Sequence, residues 1–519
     1  MKLLNYLLAA LFAAIPVVGQ GLNPEVLLHS LGASWPTYNG DYSGRRFSNL
    51  SQINSDNVRN LVLAWTYDSS GVPIKATPLM VAGVLYFTVP DHAWAVDART
   101  GRMVWKWDNK SRGGTHIGSR GMGLYGNWLF FVTPDDYLVS LDAITGKERW
   151  RVEIADLKLD FFSTVAPVVV GNHVLVSPSI ESTDNRGYID SYDPEAGKRQ
   201  WRWYATPGPG EPGSQTWPDT DALEHGGGAI WIPGTYDAEL NLYYFGTGNP
   251  QPVMAGQGRR GDDYWTNSIV ALNPDTGKLC WFYQTTPHDV HDWDSAETPV
   301  LFDATIDGQP RKLLAQANRN GYYFVLDRTN GQHIVTSKYV ENNWAKGLDS
   351  LGRPVEDLSK YPQTAGALVF PSEAGGTNWF PPSMDPETGL FYVSVMRSAA
   401  VFYLTDTNPK PEAWGGIDKF VWIGPSSVKA LEAATGKTLW EHMTGTGARS
   451  GLLTTAGKLL FAGDASGNAL ALDPATGRTL WHVNLNEPME NGPMTYEIDG
   501  RQYVLLAAGA KLFAFTLPT

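Results

Sequence analysis

The sequence predicts an all-β fold, a β-propeller, from three observations: a repeated phrase, the period of its repeat, and a composition rich in turn residues and aromatics. The phrase is a polar turn, a Gly, and a Trp four residues after the Gly. It reads Asp97-Ala-Arg-Thr-Gly101 with Trp105, and recurs as Asp142, Gly146, Trp150, then Asp193, Gly197, Trp201, then Asn273, Gly277, Trp281. Glu432, Gly436, Trp440 and Asp473, Gly477, Trp481 complete the series, and Asp327 to Gly331 is a degenerate copy ending on Val335. Successive turns lie 45 and 51 residues apart early in the chain and 41 apart near its end. That period suits a four-stranded propeller blade better than a shorter solenoid coil.

Each element of the repeat has a chemical reason. Val84-Leu-Tyr-Phe-Thr-Val89, Leu129-Phe-Phe-Val132 and Leu459-Leu-Phe461 precede three of the phrases and are β-formers. The Asp-x-x-Thr-Gly core then supplies a side-chain acceptor and a residue that tolerates positive φ, as a hairpin turn requires. The unit is thus a strand, a turn and a strand that ends on Trp. A large flat side chain at the same place in every unit packs one sheet on the next. Two longer gaps, of 80 and 105 residues, must hold insertions or blades without the phrase, one of them including Gly389-Leu-Phe-Tyr-Val-Ser-Val395.

The chain has 519 residues, with Gly 54, Pro 34 and Trp 20, and the repeats run from Asp97 to Trp481 without room for a second core. One domain over residues 20–519 is expected, because propellers grow by adding blades. The net charge of −13, uninterrupted by a basic run, argues against a nucleic-acid partner. Lys2 and the apolar run Leu3 to Val18 read as a signal peptide over residues 1–19, too short for a stable membrane span. The protein is therefore expected to be exported, periplasmic in a bacterium and secreted otherwise. Cys280 is the single cysteine, so no internal disulfide forms and no Cys-x-x-Cys-His haem attachment exists. Asn49 and Asn109 stand in sequons, which would be glycosylation acceptors in a eukaryotic secretory pathway, although motifs this short also arise by chance.

Between the repeats lie polar segments that packing does not need: Gly226-Gly-Gly-Ala-Ile-Trp231, Gly246-Thr-Gly-Asn-Pro250, Thr286 to Asp294, Ala317-Asn-Arg-Asn-Gly321 and Gly375-Gly-Thr-Asn-Trp379. Spread over successive blades, they can converge at the axis, where propellers bind ligands. His288 and His291 with Asp289 and Asp292 also have a spacing open to zinc.

On these segments the chain resembles the quinoprotein alcohol dehydrogenases, which use pyrroloquinoline quinone (PQQ) and a bound cation. The resemblance runs from Trp35-Pro-Thr-Tyr-Asn-Gly40 and Arg46-Phe-Ser-Asn-Leu50 to Tyr503-Val-Leu-Leu-Ala-Ala-Gly509. It implies an eight-bladed β-propeller with tryptophan-docking repeats. Asp294 falls on the family's catalytic base, and Arg319 on the residue that contacts the quinone oxygens near the reacting carbon. Trp231 falls on the ring beneath the quinone, while Lys75, Arg120, Thr164, Asn378 and Trp379 would hold the rest of the cofactor. Asn249 and Asp294 fall on metal ligands. The third ligand is Glu181 or Asp184, because one extra residue separates Glu181 from Arg186.

The chain also departs from the family pattern. Gly114 and Thr115 stand where many members carry a vicinal Cys pair, Lys75 replaces an acidic residue, and Ala229 replaces a Thr beneath the quinone. Ala296 stands where lanthanide-using relatives carry an extra Asp, so the resemblance implies a divalent cation, Ca²⁺, rather than a lanthanide. The activity implied is oxidation of an alcohol, polyol or sugar, with electrons leaving to a soluble cytochrome c. A second reading, from another class, is a non-catalytic propeller scaffold for protein interactions in the cell envelope. A scaffold needs the repeats but has no use for Trp231, Asn249, Asp294 and Arg319 together.

Overall fold

In the computed structural model the described residues are 32–69, 71–180 and 184–519. The expected signal peptide, residues 1–19, and Glu181 lie outside them. The fold is an all-β propeller of antiparallel sheets, in most of which consecutive strands are neighbours; Phe47–Ser48 adds a fifth strand, in parallel, to the sheet that opens on Leu453–Thr455. Sheet A comprises Leu79–Val81, Val84–Val89, His92–Asp97 and Met103–Asp108. Sheet B comprises Gly123–Tyr125, Trp128–Val132, Tyr137–Asp142 and Glu148–Glu153, and sheet C Val168–Val170, His173–Val176, Tyr188–Tyr192 and Arg199–Tyr204. Sheets D, E, F and G follow in the same manner, opening on Thr235–Asp237, Val300–Ile306, Ser383–Asp385 and Leu453–Thr455. A last sheet joins the two ends of the chain: Met494–Ile498, Arg501–Ala508 and Lys511–Thr516 are completed by the early strand Val62–Asp68.

Burial gives the radial order. First strands such as Val168–Val170 and Leu453–Thr455 are wholly buried, whereas fourth strands such as Met103–Asp108 alternate with exposed positions. The first strand is therefore innermost and the fourth outermost. In each outer strand the register slips by one residue just before the repeated Trp, which then faces a small residue: Trp105 opposite Ala95, Trp150 opposite Ser140, Trp281 opposite Ala271. A bulge of this kind re-aims a side chain. It swings the indole over the Gly of the following sheet, Trp105 over Gly146, Trp150 over Gly197 and Trp440 over Gly477. A Cβ added at Gly146 would stand 2.6 Å from the Trp105 ring, so only Gly admits the contact. Most of these indole N–H groups donate to a carbonyl across the gap, Trp105 to Ala143 at 2.9 Å and Trp440 to Pro474 at 3.0 Å. The strand does not end on Trp as expected: Trp105 is the third residue of Met103–Asp108, because the bulge, not the strand end, sets its direction.

The two long gaps hold insertions. The first carries a short helix, Thr220–Glu224. The second carries a two-stranded ribbon, Ala345–Leu348 with Pro354–Glu356, and a three-stranded sheet of Ala367–Val369, Ser398–Leu404 and Gly416–Trp422. Gly389 and its neighbours do not belong to a sheet without the phrase: Leu390–Val395 is the second strand of sheet F, whose last two strands, Ser426–Glu432 and Thr438–Gly445, carry the Glu432, Gly436, Trp440 copy. The insertion between its second and third strands is what separates them in sequence.

The N-terminal strap, residues 35–48, crosses the hub. It pairs backbone to backbone with Met80, Tyr236, Leu301, Met384 and Thr454, on the innermost strands of sheets A, D, E, F and G. The Tyr42 hydroxyl adds a bond to Val169 O of sheet C at 2.6 Å. Among the described residues no helix is long and apolar enough to cross a membrane.

Candidate active site

In an antiparallel sheet the start of the first strand and the end of the second lie at the same edge. Every described candidate occupies one of those two places. Lys75, Arg120, Thr164, Trp231, Asp294, Asn378 and Trp379 precede first strands, while Asn249 and Arg319 follow second strands. The repeat therefore delivers residues far apart in sequence to one face, beside the innermost strands. The insertions leave from the same places and build over that face.

There a cavity of about 160 Å³ is lined by Arg120, Thr164, Trp231, Asn249, Asp294 and Arg319, all expected from sequence. Ile117, Phe162, Ser179, Ile180, Asp292 and Trp414 complete it. Asp294 is its most heavily bonded group. Its Oδ2 accepts from Trp231 Nε1 at 2.8 Å and Arg319 Nη1 at 2.9 Å, and its Oδ1 accepts from the Asn249 amide at 2.7 Å. Burial pushes the Asp294 carboxyl above the ordinary aspartate range, against the pull of Arg319. Asp292, held in a left-handed backbone conformation at φ +64°, lies 3.4 Å from Arg319 Nη2 and is raised well above that range, chiefly by burial. Arg319 also donates through Nε to Glu373 O at 3.2 Å.

Local sequence makes this packing possible. A Cβ at Gly248 would lie 2.6 Å from Asp294 Oδ1, and one at Gly246 would strike Ser295 O at 1.5 Å. The Gly-Thr-Gly-Asn run is thus spaced to let sheet D approach the Asp294 backbone. Gly375 (φ +86°) plays the same part on the other side, where a Cβ would meet Arg319 at 2.7 Å.

Arg120 is buried, with no carboxylate partner among the described residues. Its Nη1 donates to Thr164 Oγ1, its Nε has no partner, and its guanidinium stacks 4.6 Å from the Trp231 ring and 5.2 Å from Trp379. Burial lowers its pKa to about 10, so it stays a cation at neutral pH. A buried cation without an ion pair and a Ser179 hydroxyl without a partner, both among the described residues, together with an indole face suit a planar anion, as PQQ is. Asn249 and Asp294 offer oxygen donors for a hard cation.

Other expected residues stand further off. Trp379 reaches the cavity only through Arg120, and Asn378 bonds within its own loop, to Ala374 O at 2.9 Å. Lys75 lies against Gly118, outside the lining, with its pKa lowered by burial. Asp184 is also outside it: both its oxygens accept the Ala413 amide, at 3.0 Å each. The zinc arrangement does not form. His291 Nε2 bonds Lys360 O at 2.8 Å and His288 Nδ1 bonds Gly261 O at 2.7 Å, and among the described residues no group of three or more His, Cys, Asp or Glu could hold a metal. Gly114, at the first position of the missing Cys pair, has φ +85° and would drive a Cβ to 1.9 Å from Pro134 O. That loop path excludes a side chain, and Ile117 lines the cavity instead. Asp292, Ser179 and Trp414 were not legible as site residues, although Asp292 stands beside the recognisable Trp-Asp pair.

Comparison with known proteins agrees. A family model described as "PQQ: Glucose/ethanol/alcohol dehydrogenase, beta-propeller domain" matches residues 35–347 and 441–504. The chain is 37% identical to the quinohemoprotein alcohol dehydrogenase of Comamonas testosteroni, over 92% of this chain and 72% of that protein. A crystal structure of the quinohemoprotein alcohol dehydrogenase from that organism matches with a TM-score of 0.89 at 32% identity, covering 96% of this chain and 82% of the other. The lanthanide-dependent methanol dehydrogenase of Methylacidiphilum fumariolicum is 32% identical over 96% of this chain and 89% of its own. These relatives are enzymes, and the buried charge around Asp294 has no place in a scaffold. The chain belongs to the PQQ-dependent alcohol dehydrogenase family of oxidoreductases.

Proposed function

We propose that this chain oxidises a small alcohol, polyol or sugar, with Asp294 taking the hydroxyl proton and Arg319 holding the reacting end of the cofactor. The observation that carries the reading is the Asp294 carboxylate, buried in the cavity wall and fixed by Trp231, Asn249 and Arg319. When bound, PQQ would supply the two-electron acceptor for the hydride of the carbinol carbon. The residues do the rest. A carboxylate lifted by burial is a better proton acceptor than one in water, and three fixed donors hold it at one orientation. Burial works against the charge on Arg319, but the carboxyl groups of Asp292, Asp294, Glu297 and Glu373 together raise its pKa, so it stays charged and would suit the oxygen atoms of an anionic cofactor. Arg120 and Thr164 would hold the anionic remainder of the cofactor over Trp231, with Lys75, Asn378 and Trp379 behind them.

For the metal we favour Ca²⁺ held by Asn249, Asp294 and Glu181. Support comes from Ala296, which brings no additional carboxylate, and from Asp184, whose oxygens are engaged by Ala413. The architecture we read as eight blades with tryptophan docking, on the strength of seven four-stranded sheets and one five-stranded sheet among the described residues and the indole-on-Gly contacts. We place the protein outside the cytoplasm, on its apolar leader, with a soluble cytochrome c as electron acceptor.

Reconstitution with PQQ and Ca²⁺, followed by assay of alcohols, polyols and sugars with an artificial acceptor, tests the activity. Asp294→Asn keeps the shape and removes the proton acceptor, so turnover is expected to fall at least about a hundredfold. Near-normal turnover in that variant would remove Asp294 from the reaction.

A further inference from the structure

Trp414 is the one lining residue that comes from the insertion of sheet F, at the tip between strands Ser398–Leu404 and Gly416–Trp422. Its indole packs against the apolar cluster that includes Val253, Met254 and Trp293. The tip is docked on the loop after sheet D's second strand: Val253 N donates to Ala413 O at 2.9 Å and Met254 N to Trp414 O at 2.8 Å. Gly415 comes so near that a Cβ would lie 2.3 Å from the Ala255 Cβ. Ala413 itself has φ +54°, a left-handed conformation that is strained for a residue with a Cβ. Something must hold it there. The Asp184 carboxylate does so, both oxygens accepting the Ala413 N–H.

We infer that Asp184 is a positioning residue, which clamps Ala413 so that Trp414 forms a fixed wall limiting substrate width and favouring slim, unbranched alcohols over aryl ones. This rests on the alcohol-oxidising reading of the same cavity. With Ile117, Phe162 and Ile180, Trp414 makes much of the lining apolar, and of these its side chain is the largest. A hydrophobic wall discriminates by shape, with one methylene worth about tenfold or more. Removing an indole opens far more space than that. The clamp is electrostatic and local, so its loss frees the tip without touching Asp294 or Asn249.

The test compares 1-butanol with benzyl alcohol in the PQQ- and Ca²⁺-loaded enzyme. Trp414→Ala is expected to raise the benzyl-to-butyl ratio of kcat/KM by about tenfold or more. Asp184→Ala is expected to move the ratio the same way by a smaller factor and to speed hydrogen exchange in the peptide spanning residues 412–415. Asp184→Asn keeps an acceptor for Ala413 and is expected to retain the wild-type ratio and exchange rate. The Ca²⁺ concentration for half-activation is expected to be the same in both Asp184 variants. An unchanged ratio in Trp414→Ala, or a higher Ca²⁺ requirement in Asp184→Asn, would overturn the inference. If the wild type turns over no alcohol, the activity reading fails instead, and amide exchange at 412–415 still decides whether Asp184 is the clamp.

Discussion

At the scale of single residues, the groups that depart furthest from their ordinary ionisation are those the fold has taken out of water. Asp136 is one outside the cavity. Its Oδ1 accepts from Ser163 Oγ at 2.7 Å, its Oδ2 has no partner, and burial raises its pKa to about 7. A carboxyl raised in the folded state binds its proton more tightly there than in the unfolded chain. Its contribution to stability is therefore full below about pH 4 and is lost as pH rises through about 7. The bound on that loss is about 4 kcal/mol, or about 4 °C in a chain of this size. Asp136→Asn mimics the neutral carboxyl at every pH. The melting temperature of wild type minus that of the variant is expected to fall steadily between pH 4 and 7.5 and then level off. A difference independent of pH would mean that Asp136 is ionised in the native protein.

At the scale of elements, the strands and turns were the most legible part of the sequence, because the Asp-x-x-Thr-Gly phrase encodes its own geometry. Gly is required at its last position twice over, by a left-handed φ and by the indole of the previous sheet. The two demands separate experimentally. Gly126 has φ +56° with nothing within 4 Å of an added Cβ, whereas Gly146 has φ +69° and the Trp105 ring at 2.6 Å. Gly126→Ala is expected to cost about 1–2 kcal/mol, the left-handed penalty alone. Gly146→Ala adds displacement of Trp105 and is expected to cost at least about 2 kcal/mol more, in the range of disrupted core packing. Equal denaturation midpoints for the two variants would remove the indole contact as a source of stability. The bulge before each Trp was not legible, since it lies in backbone register and leaves no residue signature. The candidate site was legible through its motifs, Trp-Asp and Gly-Thr-Gly-Asn above all. Asp292, Ser179 and Trp414 were hidden because their roles arise only where separate loops meet, and the Asp184–Ala413 contact spans 229 residues of sequence.

At the scale of the whole molecule, ring closure depends on two joins between the ends of the chain. One is the sheet that combines Val62–Asp68 with the three last strands. The other is the strap across the hub, held by Arg46, which is fully buried and forms no ion pair among the described residues. Arg46 donates to Tyr38 O at 2.7 Å, Leu452 O at 3.0 Å and Pro493 O at 2.6 Å, and lies 5.1 Å from the Trp35 ring. Burial lowers its pKa to about 10, which leaves it charged at neutral pH. The planar fork reaches three carbonyls, one within the strap and two from segments far along the chain, which a Lys ammonium on a single point cannot do. Arg46→Met fills similar space but leaves those carbonyls without their donor, at about 1 kcal/mol or more each. The expected cost is at least about 3 kcal/mol, or about 3 °C in melting temperature. Because the strap touches first strands all round the hub, amide exchange should quicken in sheets A, D, E, F and G together, and Arg46→Lys should not restore it. Faster exchange confined to residues 35–48, with an unchanged melting temperature, would show that the strap is an appendage and that the closing sheet alone holds the ring.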